Sequence, residues 1–539
     1  MIKKIIFILL VATTISGNAQ DKTSLGFFTD RDVYVSGETL LAKIYSPTDN
    51  ASRIVYIDLV NSSGTRISGS SIEIKNNEAN GFLQLPDSLS TGIYLLRAYS
   101  KNTVEKLKII REIWISNRFN GLENTKHLKH ISELQAIQEE STPKLNLEGI
   151  ESSYAINSSA TANIKIDESL LKEIDGNLLV SVAQTNSSFG SVSYKWSSDR
   201  GKDGLTEKKG IILSGTITDK KTSAPASGAT VYLTIPDSLP GFQHYQTQSD
   251  GRFYFQLEKY YGSVQAFIQC FGNTPAQRLK INMDELFAEP GNLPDFSQQP
   301  ISEEFKNNIT TYIDAVTFQK VFSQEKLKFQ APPKEKSKSY PYYGKPSNVV
   351  DPQLFIDLPN FTEISRELLP GVKYRNFNNE PTMQVMNAAA RDYFNEMPLI
   401  LIDGIPIRNL NVIKDMGTQD IKRIEICQSE RYYGDLRFPG VVAIYTMKSD
   451  YSRIPDSDQF IRLKLDAIQL QAKLAEPEHS EPDIPDLRQT FYWNPSVEPH
   501  ETLPVKFSTS SILGKFKIIV RGRLKNGTMV LAEKQFEVK

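Results

Sequence analysis

Cysteine and histidine are scarce in this chain: its 539 residues hold two cysteines, Cys270 and Cys427, and five histidines. So few thiols exclude a disulfide scaffold and a multi-thiolate zinc site. The two cysteines fall in different predicted domains and read as isolated buried thiols rather than a pair. Net charge is nearly absent too, at −1, which removes any global field toward nucleic acid or an anionic membrane. After the first 20 residues no run is long and apolar enough to cross a bilayer as a helix. No Gly-x-Ser-x-Gly elbow, His-Glu-x-x-His or Walker-type phosphate loop is present. Only His127 and His130 lie close together, at i, i+3 on a predicted helix, with no third ligand near, and a solvated face explains them. Glu139 and Glu140 read the same way. The expectation is a non-enzyme with no catalytic residue, cofactor or metal.

What is there is a β-rich, multidomain chain. Hydrophobic content of 39% and charged content of 23% suit globular domains, and the length suggests about three to five of them. Residues 1–19 read as an export signal: Lys3 and Lys4, then the apolar stretch Ile5 to Ala12, then small residues at 17–19. The chain is thus expected in the periplasm, at the outer membrane or on the cell surface, with no transmembrane segment of its own once the signal is removed.

Residues 24–118 show short period-2 strands at 40–45, 53–60, 71–75, 81–85 and 92–99, divided by turn residues. Their TDRDVYVSGE (29–38) and closing LSTGIY (89–94) resemble the second macroglobulin-type domain of alpha-2-macroglobulins. Tyr34 is expected to plug one end of that sandwich and Gly37 to allow the tight turn after it. The thioester pattern of large macroglobulins, Cys-Gly-Glu-Gln, is missing at both cysteines.

Residues 119–142 lose the alternation and read as a helical connector. Residues 143–200 and 486–539 are each too short for a sandwich of about 100 residues, and the two fragments could complete one split sandwich, each covering the other's open edge. Residues 211–292 form another β module. Its SGTITD (214–219), GATVYLT (228–234) and TQSDGRFYF (247–255) resemble the carboxypeptidase regulatory-like repeat, a small sandwich placed before plug domains in many Bacteroidetes receptors. Asp250 and Gly251 are expected to form a hairpin turn there. A helix and a Pro-, Lys- and Tyr-rich linker occupy 293–346, and a second linker 451–485.

Between them, residues 347–450 carry an amphipathic helix over 358–372, then PLILIDGIPI (398–407), DIKRIEI (420–426), RYYG (431–434) and PGVVAIYT (439–446), with Gly440 opening the last strand. That order resembles the plug domain of TonB-dependent outer-membrane receptors and implies one α+β plug-like module. Only 93 residues follow Thr446, whereas a plugged barrel of about 22 strands of roughly 10 residues needs well over 200. The whole thus reads as mainly β: macroglobulin- or Ig-like β-sandwiches plus one α+β plug-like module without its barrel. The resemblance implies docking on an outer-membrane barrel or a transport or secretion assembly. Asp403, Gly404, Arg431, Tyr432 and Tyr433, with the linker aromatics Tyr340, Tyr342 and Tyr343, are the candidate partner-binding residues. For Asp403, Gly404 and Gly434 a purely structural role is the stronger expectation, and so is packing of the linker bearing Tyr340, Tyr342 and Tyr343 onto the neighbouring module. A surface adhesin binding glycan or peptide, and an envelope enzyme with a site assembled across domains, stay open as alternatives.

Overall fold

The computed structural model describes residues 25–539 except 48–49, 102–107, 121–126, 131–140, 187–188, 190–192, 196–204, 237–240, 273–277, 291–295, 300–302, 323–326, 331, 333–339, 378–379, 450 and 475–484. The export signal and the acidic pair Glu139 and Glu140 lie outside these residues. Strands dominate, and the chain divides into two units. One comprises residues 1–208, 289–330 and 471–539; the other comprises 209–288 and 331–470.

In the first unit, residues 26–116 build a β-sandwich. One sheet has the order Gly26–Thr29, Thr39–Tyr45, Glu78–Gln84. The other runs Ser193–Lys195, Lys108–Ser116, Gly92–Tyr99, Ile54–Val60, Arg66–Glu73. Alternating side chains such as Phe27, Ile44, Val55, Ile57, Leu96 and Ile113 fill the space between the sheets. Tyr34 is fully buried; its hydroxyl lies 2.8 Å from Asp30 Oδ1 and accepts from the Arg31 amide at 3.1 Å. Gly37 turns the chain with φ +84°.

The fragments around residues 145 and 515 are one sandwich. Ser159–Ile166 lies between Leu145–Glu148 and Thr502–Ser508 in one sheet. In the facing sheet Leu178–Gln184 lies between Gly514–Arg523 and Thr490–Val497. The core draws on both: Ile164, Val180 and Val182 pack with Val505, Phe516, Ile518 and Phe536. Neither fragment has a complete sheet or core without the other.

The helix Glu303–Val321 buries Phe305, Ile309, Tyr312 and Val316, spaced three and four apart, against Val33, Val35, Ile93 and Trp114 on the outside of the first sandwich. The stripe ends there, and Val321 and Phe322 are exposed. The expected helix of 119–142 is corrected where it is described: His127–His130 is a strand, antiparallel to Phe296–Gln299. The helical spacing of the two histidines therefore does not hold.

In the second unit, Arg252–Leu257, Ile211–Asp219 and Leu279–Met283 form one sheet. Gly241–Gln246, Thr230–Ile235, Ser263–Phe271 and Phe460–Asp466 form its partner. Two expectations change here. Asp250 and Gly251, with φ +72° at the glycine, carry the chain from one sheet to the other rather than closing a hairpin. The supposed linker 451–485 contains a strand, because Ile461, Leu463 and Leu465 alternate with Arg462, Lys464 and Asp466 and pair with Ser263–Phe271. Farther along, Ala472–Leu474 pairs with Leu327–Phe329 in the first unit.

Residues 348–446 make a five-stranded sheet in the order Asn348–Val350, Ile421–Tyr433, Leu436–Thr446, Leu399–Ile402, Ile405–Ile407. Leu399–Ile402 runs parallel to Leu436–Thr446 and is wholly buried. One face is covered by a helix, Phe361–Leu368, and by Val372–Phe377 with Glu380–Asn387. Phe361, Ile364, Tyr374, Met383 and Val385 meet Ile400, Ile424, Ile426 and Val442 there. The helix is shorter than the 358–372 expected. Asn360 caps it by accepting from the Glu363 amide at 3.0 Å, and residues from Val372 onward are strand. Gly440 lies inside its strand rather than opening it. It has φ +90°, beside a register shift between Cys427 and Glu430.

Candidate functional site

The residues singled out from the sequence separate into three groups. Asp403 and Gly404 have φ of +48° and +85° and form the two-residue turn between Leu399–Ile402 and Ile405–Ile407. The Asp403 carboxylate is 6% exposed and accepts from the Thr446 amide at 2.7 Å and the Thr446 hydroxyl at 2.6 Å. Neither residue presents itself to a partner; they hold two strands in register.

Tyr342, Tyr343 and Tyr433 also turn inward. Tyr342 stacks on Phe242 with centroids 4.5 Å apart and planes 10° apart, and Tyr433 meets Phe242 edge-on at 5.2 Å. The Tyr433 hydroxyl donates to the Phe242 carbonyl at 2.5 Å. Tyr343 donates to Glu425 Oε2 at 2.7 Å and lies 2.9 Å from the Tyr445 hydroxyl. Burial raises the Tyr342 and Tyr343 phenols well above the usual range. These rings are a seam that fastens the 211–283 sandwich to the five-stranded sheet of residues 348–446 within one unit. Arg431 belongs to the same packing, donating from Nη2 to the Lys345 carbonyl at 2.8 Å.

Tyr340 and Tyr432 are the two exposed aromatics of the set, at 47% and 63%. The Tyr432 hydroxyl donates to Glu430 Oε2 at 2.6 Å, and Glu430 in turn meets Arg437 at 2.6 Å. Hydrogen bonding from Arg437 holds the Glu430 carboxyl below its ordinary value. Arg437 also reaches Glu396 at 2.7 Å, so Tyr432 stands over a charge-laced hairpin end.

The apolar surface that sequence reasoning missed begins at the sheet edge. Among the described residues Asn348–Val350 pairs on one side only, with Ile421–Tyr433. Val349 is 54% exposed, and the following Leu354, Phe355 and Ile356 are 80%, 56% and 71% exposed. The segment is not loosely attached. Pro352 and Leu358 are buried at its two ends, the Gln353 amide donates to the Lys422 carbonyl at 3.0 Å, and Asp357 accepts from the Thr418 hydroxyl at 2.8 Å. Three consecutive large apolar side chains are thereby held outward beside an open strand edge, which suits binding rather than bond-making chemistry. A short apolar run between Asp351 and Asp357 was the available signal.

Among the described residues no group of three or more His, Cys, Asp or Glu side chains could hold a metal ion. No described helix is long and apolar enough to cross a membrane. Cys270 and Cys427 are both buried free thiols, in different modules of the second unit.

No family model matches the sequence, and no curated protein does either. Among solved structures, alpha-2-macroglobulin from Salmonella reacted with methylamine is 10% identical, with a TM-score of 0.22, covering 96% of this chain and 39% of that one. Trypsin-activated alpha-2-macroglobulin from Escherichia coli is 10% identical at TM-score 0.21, covering 96% and 41%. A tetra-tandem repeat from the extending region of a large adhesion protein is 8% identical at TM-score 0.14, covering 96% and 98%. This chain therefore spans about two fifths of the macroglobulin chains it is similar to. With TM-scores this low the likeness supports no transfer of function, and what stands is the architecture itself: a mainly β, multidomain chain of sandwiches with one α+β module.

Proposed function

We propose that this chain is an exported, non-enzymatic envelope protein that docks through its plug-like module on an outer-membrane barrel or a transport or secretion assembly. The observation that carries the reading is the anchored apolar segment of Leu354, Phe355 and Ile356 beside the open edge of Asn348–Val350. Exposed apolar side chains contiguous with an unpaired strand edge cost solubility and are retained where a partner covers them. The sandwich of residues 211–283, fastened to the same sheet within the second unit, supplies the frame that presents this edge.

The test is photo-crosslinking in cells from a benzoylphenylalanine placed at Phe355, with the same probe at the exposed Phe119 as control. A single outer-membrane protein crosslinked from Phe355 and not from Phe119, and lost with Leu354→Ser and Ile356→Ser, supports docking. Equal labelling from both positions, or none, refutes it.

A further inference from the structure

The helix Glu303–Val321 leaves a pocket of about 610 Å³ between itself and the split sandwich, within the range of about 300–1,000 Å³ typical of ligand sites. Asn308, Thr311, Ala315 and Phe318 line it from the helix, at three- and four-residue spacing on one face. Ala315 matters because its small side chain leaves the space open. The opposite wall comes from Gln184, Leu487 and the turn Ile512, Leu513, Gly514 and Lys515. Leu513 stands 61% exposed at the rim.

Several polar groups of this pocket are unspent, although Gln184 Nε2 donates to the Leu513 carbonyl at 3.5 Å and the Thr311 hydroxyl to the Asn307 carbonyl at 3.3 Å. The buried Gln184 Oε1 has no hydrogen-bond partner among the described residues. The side chains of Asn308, Asp314 and Lys515 likewise make no hydrogen bond or ion pair there. The anion Asp314 lies on the helix wall; on the sandwich wall the cation Lys515 stands in register with Glu537, whose carboxylate pairs with Lys539 at 2.9 Å. We propose that this pocket binds a short peptide with free termini and an apolar side chain. Asp314 faces its ammonium, Lys515 its carboxylate, the two amides pair with peptide groups, and Phe318, Ile512 and Leu513 cover the apolar side chain. A neutral oligosaccharide would leave both charges and the leucine unmatched. The pocket lies wholly in the first unit, so the inference stands apart from the docking reading.

The experiment is calorimetric titration of the full chain with alanyl-leucyl-leucyl-alanine, with the same peptide acetylated, amidated or both, and with maltotetraose. The free peptide should bind in the range of roughly 10–100 μM, and capping both ends should weaken it about tenfold. Asp314→Asn and Lys515→Met should each abolish the sensitivity to one cap, and Leu513→Asp should remove binding, all with thermal unfolding unchanged because these side chains are exposed. Absence of binding up to about 5 mM, or equal affinity for free and capped peptide, overturns the proposal. Binding of maltotetraose in the peptide's place overturns it as well.

Discussion

Replacing Glu112 by glutamine should stabilise the first sandwich above neutral pH and leave it unchanged near pH 4.5. Glu112 lies on Lys108–Ser116, opposite Leu95. It shares the outward row of that strand with Ile110 and Trp114, both fully buried, and is itself 6% exposed. Tyr194, two residues along the neighbouring strand's register, is also buried and hydrogen-bonds the carboxyl. Burial disfavours the charged form and pushes the carboxyl up from 4.5 to about 7. The folded state therefore holds this proton more tightly than the unfolded one. The associated stability is complete below about pH 4.5 and is lost as pH rises through 7. Two and a half pH units at 1.36 kcal/mol each give about 3 kcal/mol. Glutamine keeps the shape and a hydrogen-bonding group while removing the charge, so the variant should gain about that much at pH 8. Urea unfolding from pH 4.5 to 8.5 reads it, followed by the emission of the buried Trp114 in a background lacking Trp196 and Trp493. Parallel pH profiles for the two proteins, or a variant less stable at pH 8, would refute the reasoning.

Other substitutions probe the remaining modules. Gly440→Ala should cost the second unit about 1–3 kcal/mol in denaturant unfolding, because its φ is +90° and a Cβ would meet Val385 Cγ1 at 2.9 Å and the Cys427 carbonyl at 3.1 Å. Cys270, whose thiol burial pushes up to about 12, and Cys427, raised in the same direction, should resist alkylation at pH 8 until the protein is unfolded; rapid labelling of the native chain would contradict this. Removing residues 486–539 should unfold residues 145–184 as well, read as loss of their hydrogen-exchange protection, whereas a fragment that kept its protection would mean the two halves are separate domains.

How much of this was legible in the sequence depends on whether the signal was local. Asp403 and Gly404 between two apolar runs announce a hairpin turn because both positions demand positive φ. The same dipeptide at Asp250 and Gly251 announces a turn equally well, yet nothing local says that the flanking strands join different sheets. Val372–Phe377 and Glu380–Asn387 escaped notice because only one face is buried and the other carries Lys373, Arg375, Glu380 and Gln384. Phe460–Asp466 was hidden for the same reason. The aromatic residues were found but not their direction. Packing is the stronger expectation for the linker aromatics, but no local signal names the partners: Phe242, distant in sequence, takes up the surface of Tyr342 and Tyr433, and Glu425 with Tyr445 that of Tyr343. Leu354, Phe355 and Ile356 went the other way, since three apolar residues in a row cannot reveal whether anything covers them.

The interleaving of residues 145–184 with 490–538 sets a timetable for folding. Strands such as Leu178–Gln184 have no neighbours on either side until a segment some three hundred positions downstream has been made. Closing so distant a loop is slow, and the waiting edges invite wrong pairings meanwhile. A chain of this topology benefits from being kept extended by a holdase until its last strands arrive. Premature truncation would leave half a domain permanently sticky, an easily recognised target for degradation.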